Sequence, residues 1–345
     1  MINRMACMTG LRKMEMRTIG MPHAAPDQVV VKLEYVGICG SDVHYYEHGK
    51  IGDFVVQGDF ILGHECAGTV VEVGSNVAHL RVGDRVALEP GLTCGKCEYC
   101  KTGKYNLCPD VRFLATPPID GCLVDYLAYP ADMAFKLPDQ VSSLEGALVE
   151  PLSVGLHAAV QGQVTLGSRV IILGSGPIGL MTIQACKAYG ATEIIAVDIF
   201  DNRLEYAKRL GATKVIHARR HNVIDTVMEW TNGRGLDVVF ETAGSEATIQ
   251  DTPHLVSRGG TIVLVGLAGK DIIPYHFMQI MSKEASIKSV FRYRNLFPTA
   301  IEAIADGRIN VKDMVTHEFD FTDSHRAFEY VIEHKQEVVK AIIKM

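Results

Sequence analysis

The sequence predicts an α/β protein of two domains, a strand-rich first domain of barrel or sandwich type followed by a doubly wound parallel sheet. Three observations lead there. The chain has 345 residues, too many for one ordinary small core and enough for two domains of moderate size. It is 48% hydrophobic and 21% charged, the balance of a globular chain that buries a large core. Near Pro151 the pattern changes from short β-branched stretches punctuated by glycine to a regular alternation of strand and helix.

Before Pro151, QVVVKLEYVGICG, GTVVEVGSNVAHLRVGDRVALEP and LVDYLAYPADMAFKLP read as short strands joined by glycine turns. After it, RVIIL precedes the helical PIGLMTIQACKAYG, EIIAVD precedes NRLEYAKRLGA, and KVIHA precedes NVIDTVMEWTNG. LDVVFETAG, TIVLVGLAG and ASIKSVF supply three more apolar strands, so six strands with intervening helices make the doubly wound sheet. From about Ser289 the alternation stops. The expected divisions are residues 1–152, 153–288 and 289–345, with no internal repeat and no low-complexity tract.

The formal net charge is -6, and no stripe of lysine or arginine could neutralise a phosphate backbone, so a nucleic acid partner is not expected. No apolar run approaches the roughly 18 to 20 residues that span a bilayer. The start, MINRMACMTGLRKMEM, lacks the apolar core of a secretory signal, and the end, AIIKM, carries no retrieval tag. A soluble cytoplasmic protein is expected. In that reducing setting, clustered cysteines are read as metal ligands and not as disulfides.

Gly174-Ser175-Gly176-Pro177-Ile178-Gly179 is a GxGxxG that follows the strand RVIIL and opens a helix. Its glycines serve a tight turn, close approach of backbone to a pyrophosphate, and close packing of helix on strand, while the helix N-terminus presents N–H groups to the diphosphate. Asp198 ends the next strand, 19 residues beyond Gly179, where a carboxylate accepts hydrogen bonds from ribose hydroxyls and repels a 2′-phosphate. NAD is therefore expected over NADP, with Arg203 near enough to soften the repulsion. The alternative role for Asp198 is to cap the following helix, for which Asp201 and Asn202 are the nearer candidates.

Cys94, Cys97, Cys100 and Cys108 can surround one ion in a short loop, and four sulfurs in tetrahedral array suit zinc. Four protein ligands leave no open position, so this site orders a loop and does not catalyse. A second, incomplete set is offered by Cys39 in VGICGSDVHYY and by His64 and Glu65 in ILGHECAGT. Three ligands leave one position for a reacting oxygen. Glu150, at the domain junction, is either a further ligand, an acceptor for a metal-bound water, or a member of a hinge ion pair.

GICGSDVH, GHECAGTVVEVG, VGDRVALEPG, the four-cysteine lobe, EPLSVGLHA, GSGPIGL and FRYRNLFP together resemble the zinc-dependent medium-chain dehydrogenases over essentially the whole chain. FLATPPIDG and SVFRYRN resemble the sorbitol dehydrogenase group of polyol dehydrogenases within it. The resemblance implies a GroES-like β-barrel catalytic domain, a Rossmann coenzyme domain, a C-terminal segment that rejoins the catalytic domain, and a homotetramer. It implies two zinc ions per chain, one catalytic on Cys39, His64 and Glu65 and one structural on the four cysteines. Glu150 matches the carboxylate that contacts water and substrate, and Ser41 and His44 match a proton relay. Which route the proton takes, and whether Glu65 or Glu150 is the direct ligand, stays open. Tyr45, Phe113, Arg292 and Tyr293 match substrate positions. Ile178, Asp198, Arg203, Val265, Leu267 and Phe291 match coenzyme contacts, beside Gly174, Gly176 and Gly179. Animal members of the group lack the four-cysteine lobe, so the chain looks closer to microbial, fungal or plant relatives.

The implied activity is zinc-dependent hydride transfer from the C2 alcohol of a small-molecule polyol (sorbitol, xylitol or L-iditol) to NAD+, giving the ketose. Zinc lowers the pKa of a bound water from about 15.7 to about 7, and a bound alcohol is expected to respond similarly. The competing readings are a threonine, butanediol or simple alcohol dehydrogenase, and a non-catalytic nucleotide-sensing protein. The polyol-like motifs speak against the former, and the presence of Cys39, His64 and Glu65 speaks against the latter.

Overall fold

Alternating valines make Gln28–Gly37 the strand on which the first part of the molecule is assembled. The structure, a computed structural model, describes residues 2–345. Two compact units are present: one holds the chain up to Glu150 with Phe297–Gly307 and Val311–Met345, the other Pro151–Leu296 with Arg308–Asn310. The passage back into the first unit thus falls at Phe297, a few residues beyond the last strand of the second.

In chain order, β1 (Asn3–Gly10) and β2 (Lys13–Ile19) form an antiparallel hairpin. β3 (Gln28–Gly37) leads into α1 (Gly40–His48), and β4 (Glu65–Val73) returns antiparallel to β3 with Glu65 opposite Gly37. β5 (Arg85–Leu88), β6 (Tyr126–Pro130) and β7 (Ala134–Lys136) follow. Helix α2 (Val149–Gln161) begins in the first unit with Val149 and Glu150 and continues in the second.

The second unit alternates as the periodicity requires. Its strands are β8 (Arg169–Leu173), β9 (Glu193–Asp198), β10 (Lys214–His217), β11 (Leu236–Glu241), β12 (Val256–Leu264) and β13 (Ser286–Ser289). Between them lie α3 (Pro177–Ala188), α4 (Asp201–Leu210), α5 (Val223–Trp230), α6 (Glu246–Leu255) and α7 (Phe277–Lys283). All pairings are parallel in the order β10-β9-β8-β11-β12-β13, so the order reverses beside β8, the strand that runs into the glycine turn. Crevices at such reversals bind nucleotides. Ile171, Leu173, Ile195, Val197, Val239 and Ile262 form its core and are almost wholly buried.

The chain then adds α8 (Phe297–Ala305), β14 (Val315–Asp320), α9 (Ser324–Glu333) and β15 (Lys340–Lys344) to the first unit. Its seven-stranded sheet runs β7-β5-β4-β3-β15-β14, with β6 also on β3. β15 pairs with the last residues of β3, Ile342 opposite Gly37, which brings the C-terminal strand beside the start of α1. Val31, Leu33, Val36, Tyr46, Leu88, Tyr129, Phe328 and Ile343 share its core, each large apolar side chain contributing about 1.5–3 kcal/mol by leaving water. Among the described residues, no helix is long and apolar enough to cross a membrane.

Candidate active site

Cys39 is the N-cap of α1, in extended backbone at the end of β3. The N-cap position sets its Sγ beside the first-turn N–H groups of the helix. His64 immediately precedes β4 and Glu65 opens it, and each of Cys39, His64 and Glu65 offers a ligand atom within 4.8 Å of the others. Glycine at position 37 follows from this crowding, since a Cβ there would overlap the carboxylate of Glu65 across the strand pair.

Asp42, fully buried in the first turn of α1, ties the two ligand turns together. It accepts hydrogen bonds from the N–H of Gly63 at 3.0 Å and of Cys39 at 3.3 Å, and its Oδ1 lies 3.4 Å from His64 Nδ1. Lys340 of β15 is only 2% exposed, donates to the Ile38 carbonyl at 3.0 Å, and is ion-paired with Glu65. Burial alone lowers the pKa of both cations. It is outweighed at His64 by Asp42 and Cys39, and at Lys340 by Glu65, Cys39 and Glu150, so both lie above their ordinary values. Asp42, Cys39, Glu65 and Glu150 thus crowd their acidic groups around two basic ones, a setting that favours a cation. His64 Nδ1 and Glu65 Oε1 are moreover buried polar atoms without a hydrogen-bond partner. Unfilled lone pairs from sulfur, imidazole and carboxylate fit a zinc ion.

Glu150 is 5% exposed and lies close enough to Lys340 to raise its pKa. The Phe113 ring stands 5.7 Å from that of His64. Ser41 and His44 share a face of α1, three residues apart, and burial followed by the neighbouring His48 holds His44 below the usual histidine value. Tyr45, on the same helix, is buried with its ring 6.3 Å from Phe60.

In the second unit the glycine turn divides its tasks. Gly174 has φ 101° and a Cβ there would lie 2.9 Å from Ala243, Gly179 packs against the Gly174 carbonyl, and a Cβ on Gly176 would meet only Arg203 at 3.8 Å. That open approach, with Pro177 at the first helical position, leaves the N-terminus of α3 accessible to a diphosphate. Ile178 lies within that first turn. Asp198 accepts from the N–H of Ser175 at 2.8 Å, Ile199 at 2.7 Å and Phe200 at 3.0 Å, and Arg203 stands 3.9 Å from it over the Phe200 ring. Neither Asp201 nor Asn202 caps α4, contrary to expectation. Phe200 is the N-cap, and the nearby amides are taken by the Asp198 carboxylate. Val265 donates to the Glu241 carbonyl at 2.8 Å, while Leu267 is exposed beside the backbone of Gly244. Phe291, Arg292 and Tyr293 follow β13, with the Arg292 guanidinium 4.8 Å from the Phe291 ring.

The cysteine lobe is local and shallow. The Cys97 and Cys100 sulfurs lie 3.4 Å apart and those of Cys94 and Cys100 4.0 Å, with N–H groups of Cys94, Cys97 and Cys100 donating to sulfurs of the set. Shifts within the set are opposed: backbone N–H groups of Lys96 and Cys97 lower Cys94, whereas Cys97 and Cys108 are raised.

Sequence reasoning missed Asp42, Lys340 and Glu241. Asp42 carries a weak local signal, an acid three residues after the helix cap. Glu241 is fully buried, receives Thr248 Oγ1 at 2.7 Å and the amides of Ala243 and Gly244, and shapes the loop beside the glycine turn.

Comparison with known proteins follows this geometry. Residues 25–139 match the alcohol dehydrogenase GroES-like domain, and residues 177–306 match the zinc-binding dehydrogenase model. The chain is 46% identical to a sorbitol dehydrogenase of Bacillus subtilis, covering 98% of this chain and 96% of that one. It is 45% identical to a probable D-xylulose reductase A of Aspergillus fumigatus, over 89% and 87%. An Escherichia coli oxidoreductase/dehydrogenase of unknown specificity superimposes with a TM-score of 0.97 at 47% identity, over 100% and 99% of the two chains.

Proposed function

The chain belongs to the zinc-binding dehydrogenases with an alcohol dehydrogenase GroES-like domain, and on that premise we propose that it moves a hydride from the C2 alcohol of sorbitol, xylitol or L-iditol to NAD+, yielding the ketose. The observation that carries this reading is a ligand set that stops at three residues, half-buried Cys39 with buried His64 and Glu65, in a chain so similar to a sorbitol dehydrogenase. Zinc, when bound, supplies the Lewis acidity that lets an alcohol lose its proton near neutral pH, and the nicotinamide supplies the hydride acceptor.

The residues divide the remaining work. Asp42 fixes the orientation of His64 through the turn at Gly63, and Lys340 balances the charge of Glu65. His44, held neutral near pH 7, is suited to accept a proton passed by Ser41 and release it to solvent, and Glu150 is suited to hold a water at the same site. The Phe113 ring beside His64 excludes water from one side. Arg292 recognises the further hydroxyls of a polyol. Its support is backbone strain: a bulky residue at φ 57° costs about 1–3 kcal/mol, which is tolerated where placement of the side chain matters. Gly174, Gly176, Gly179 and Asp198 hold the coenzyme, and the Asp198 carboxylate selects NAD. The Cys94, Cys97, Cys100 and Cys108 lobe takes a second, structural zinc.

A homotetramer is part of the proposal, supported by the exposed edge strand β13 and the exposed Phe277, Met278 and Met281 of α7. The cytoplasm suits nine cysteines without a disulfide. The decisive test is NADH formation with sorbitol, xylitol, L-iditol, ribitol, galactitol, threonine, ethanol and 2,3-butanediol, with and without a chelator. Turnover confined to threonine, butanediol or ethanol overturns the substrate assignment, and turnover that survives complete zinc removal overturns the mechanism.

A further inference from the structure

Helix α1 carries a second histidine that the reaction does not use. His44 and His48 are separated by four residues, which places them on one face a turn apart. Their rings are edge to face with centroids 4.6 Å apart, and both side chains are exposed. Among the described residues neither imidazole is engaged in a hydrogen bond, so their ring nitrogens are available. Paired histidines at this spacing on a helix are a chelating arrangement for borderline divalent metals.

The surroundings favour a cation. His48 lies in the last turn of α1, where unsatisfied carbonyls give the helix its negative end. The Glu47 carboxylate acts on His44 in the sense that favours positive charge there. His44 itself lies below the usual histidine value, through partial desolvation and then His48, so its lone pair is open to a metal as well as to a proton. Two imidazoles and no thiolate suit zinc or nickel, and do not suit magnesium or calcium.

We propose that His44 and His48 form a third metal site, distinct from the two ligand sets already described, and that a transition metal bound there inhibits the enzyme. The inhibitory part rests on the reading of His44 as a proton acceptor. A coordinate bond uses the same nitrogen lone pair that would take the proton, so metal and proton exclude one another at that atom. No bond to carbon and no change of oxidation state is involved, and water fills the remaining positions of the ion.

The test uses the holoenzyme carrying two zinc ions per chain, with nickel as the probe, compared with the His48→Gln variant, which leaves His44 in place. Nickel uptake and retained zinc are counted by equilibrium dialysis, and inhibition is read as turnover with and without nickel within each variant. The expected result is one added nickel per chain with both zincs retained, turnover falling as it binds, and both curves shifted to at least about tenfold higher nickel in His48→Gln. Absence of the added ion, equal binding by the variant, or zinc lost in step with nickel uptake would overturn the site. Nickel that binds, shifts with His48→Gln and leaves turnover unchanged would overturn the inhibition, and with it the role given to His44, while the site itself stands.

Discussion

Two ligand clusters of the first unit are built on opposite plans. Cys94, Cys97, Cys100 and Cys108 come from one short loop, are mostly half-exposed, and receive hydrogen bonds from their own backbone. Cys39, His64 and Glu65 come from the ends of different strands, the last two buried and Cys39 half-buried, and depend on Asp42 and on Lys340 from the far end of the chain. The loop can be folded around an ion by local geometry alone. The enclosed set exists only after β3, β4 and β15 have paired, so metal chemistry there is tied to the tertiary fold.

The sharpest way to break this contrast is to remove a ligand from the enclosed set. Cys39→Ser or His64→Ala is expected to lower polyol turnover by roughly a thousandfold or more, since several kcal/mol of charge stabilisation is lost. Metal analysis should find one zinc where the parent has two, with the cysteine lobe still loaded. Two zincs in an inactive variant would show that the residue acts otherwise than as a ligand.

Lys340→Met tests the long-range support. Removing the ammonium leaves the Glu65 carboxylate buried without its partner, a change that destabilises by about 3–5 kcal/mol. The loss should be read by denaturant unfolding of the zinc-free protein and should shrink when zinc is present, because the ion then compensates Glu65. An equal loss in both forms would mean that Lys340 serves packing alone.

Glu89 links the cysteine lobe to β6 and gives the contrast a pH dependence. It is 3% exposed, receives the Tyr105 hydroxyl from the cysteine lobe at 2.7 Å, and burial pushes it up to about 7. A carboxyl raised in the folded state contributes stability that is complete below its ordinary value near 4.5 and is lost as pH climbs through about 7. Unfolding free energy should therefore fall between pH 5 and 8 by up to about 3 kcal/mol from this group. Glu89→Gln should flatten that slope and be the more stable protein at pH 8. An unchanged slope would mean that Glu89 stays ionised throughout.

Legibility in the sequence follows the same division. The four cysteines and the glycine turn announce themselves because spacing alone encodes their geometry. The six-strand alternation was readable too, since each strand is apolar along its length. Lys340 was not. In VVKAIIKM it reads as one of two lysines around an apolar strand, and only the pairing of β15 with β3 turns it inward onto Glu65. Glu241 was hidden in the same way, as a charge at the end of a strand whose buried partners lie in the following loop.

The smallest effect on chemistry is expected from the most conspicuous motif. Cys100→Ala removes a ligand from the loop, and one zinc per chain should be lost. Cys39, His64 and Glu65 share no ligand with that loop, so turnover per folded molecule should stay within a factor of about three, under 1 kcal/mol in barrier. The cost should appear locally, because a structural zinc holds its loop by coordination and little apolar surface is buried there. Trypsin should then cut at Lys96, Lys101 or Lys104 well before the rest of the chain. The effect of Glu89 sets the limit of this independence, for Tyr105 is its hydroxyl partner within the lobe. If turnover collapses in Cys100→Ala while the enclosed zinc is retained, the lobe governs the active site, and the two clusters are one device.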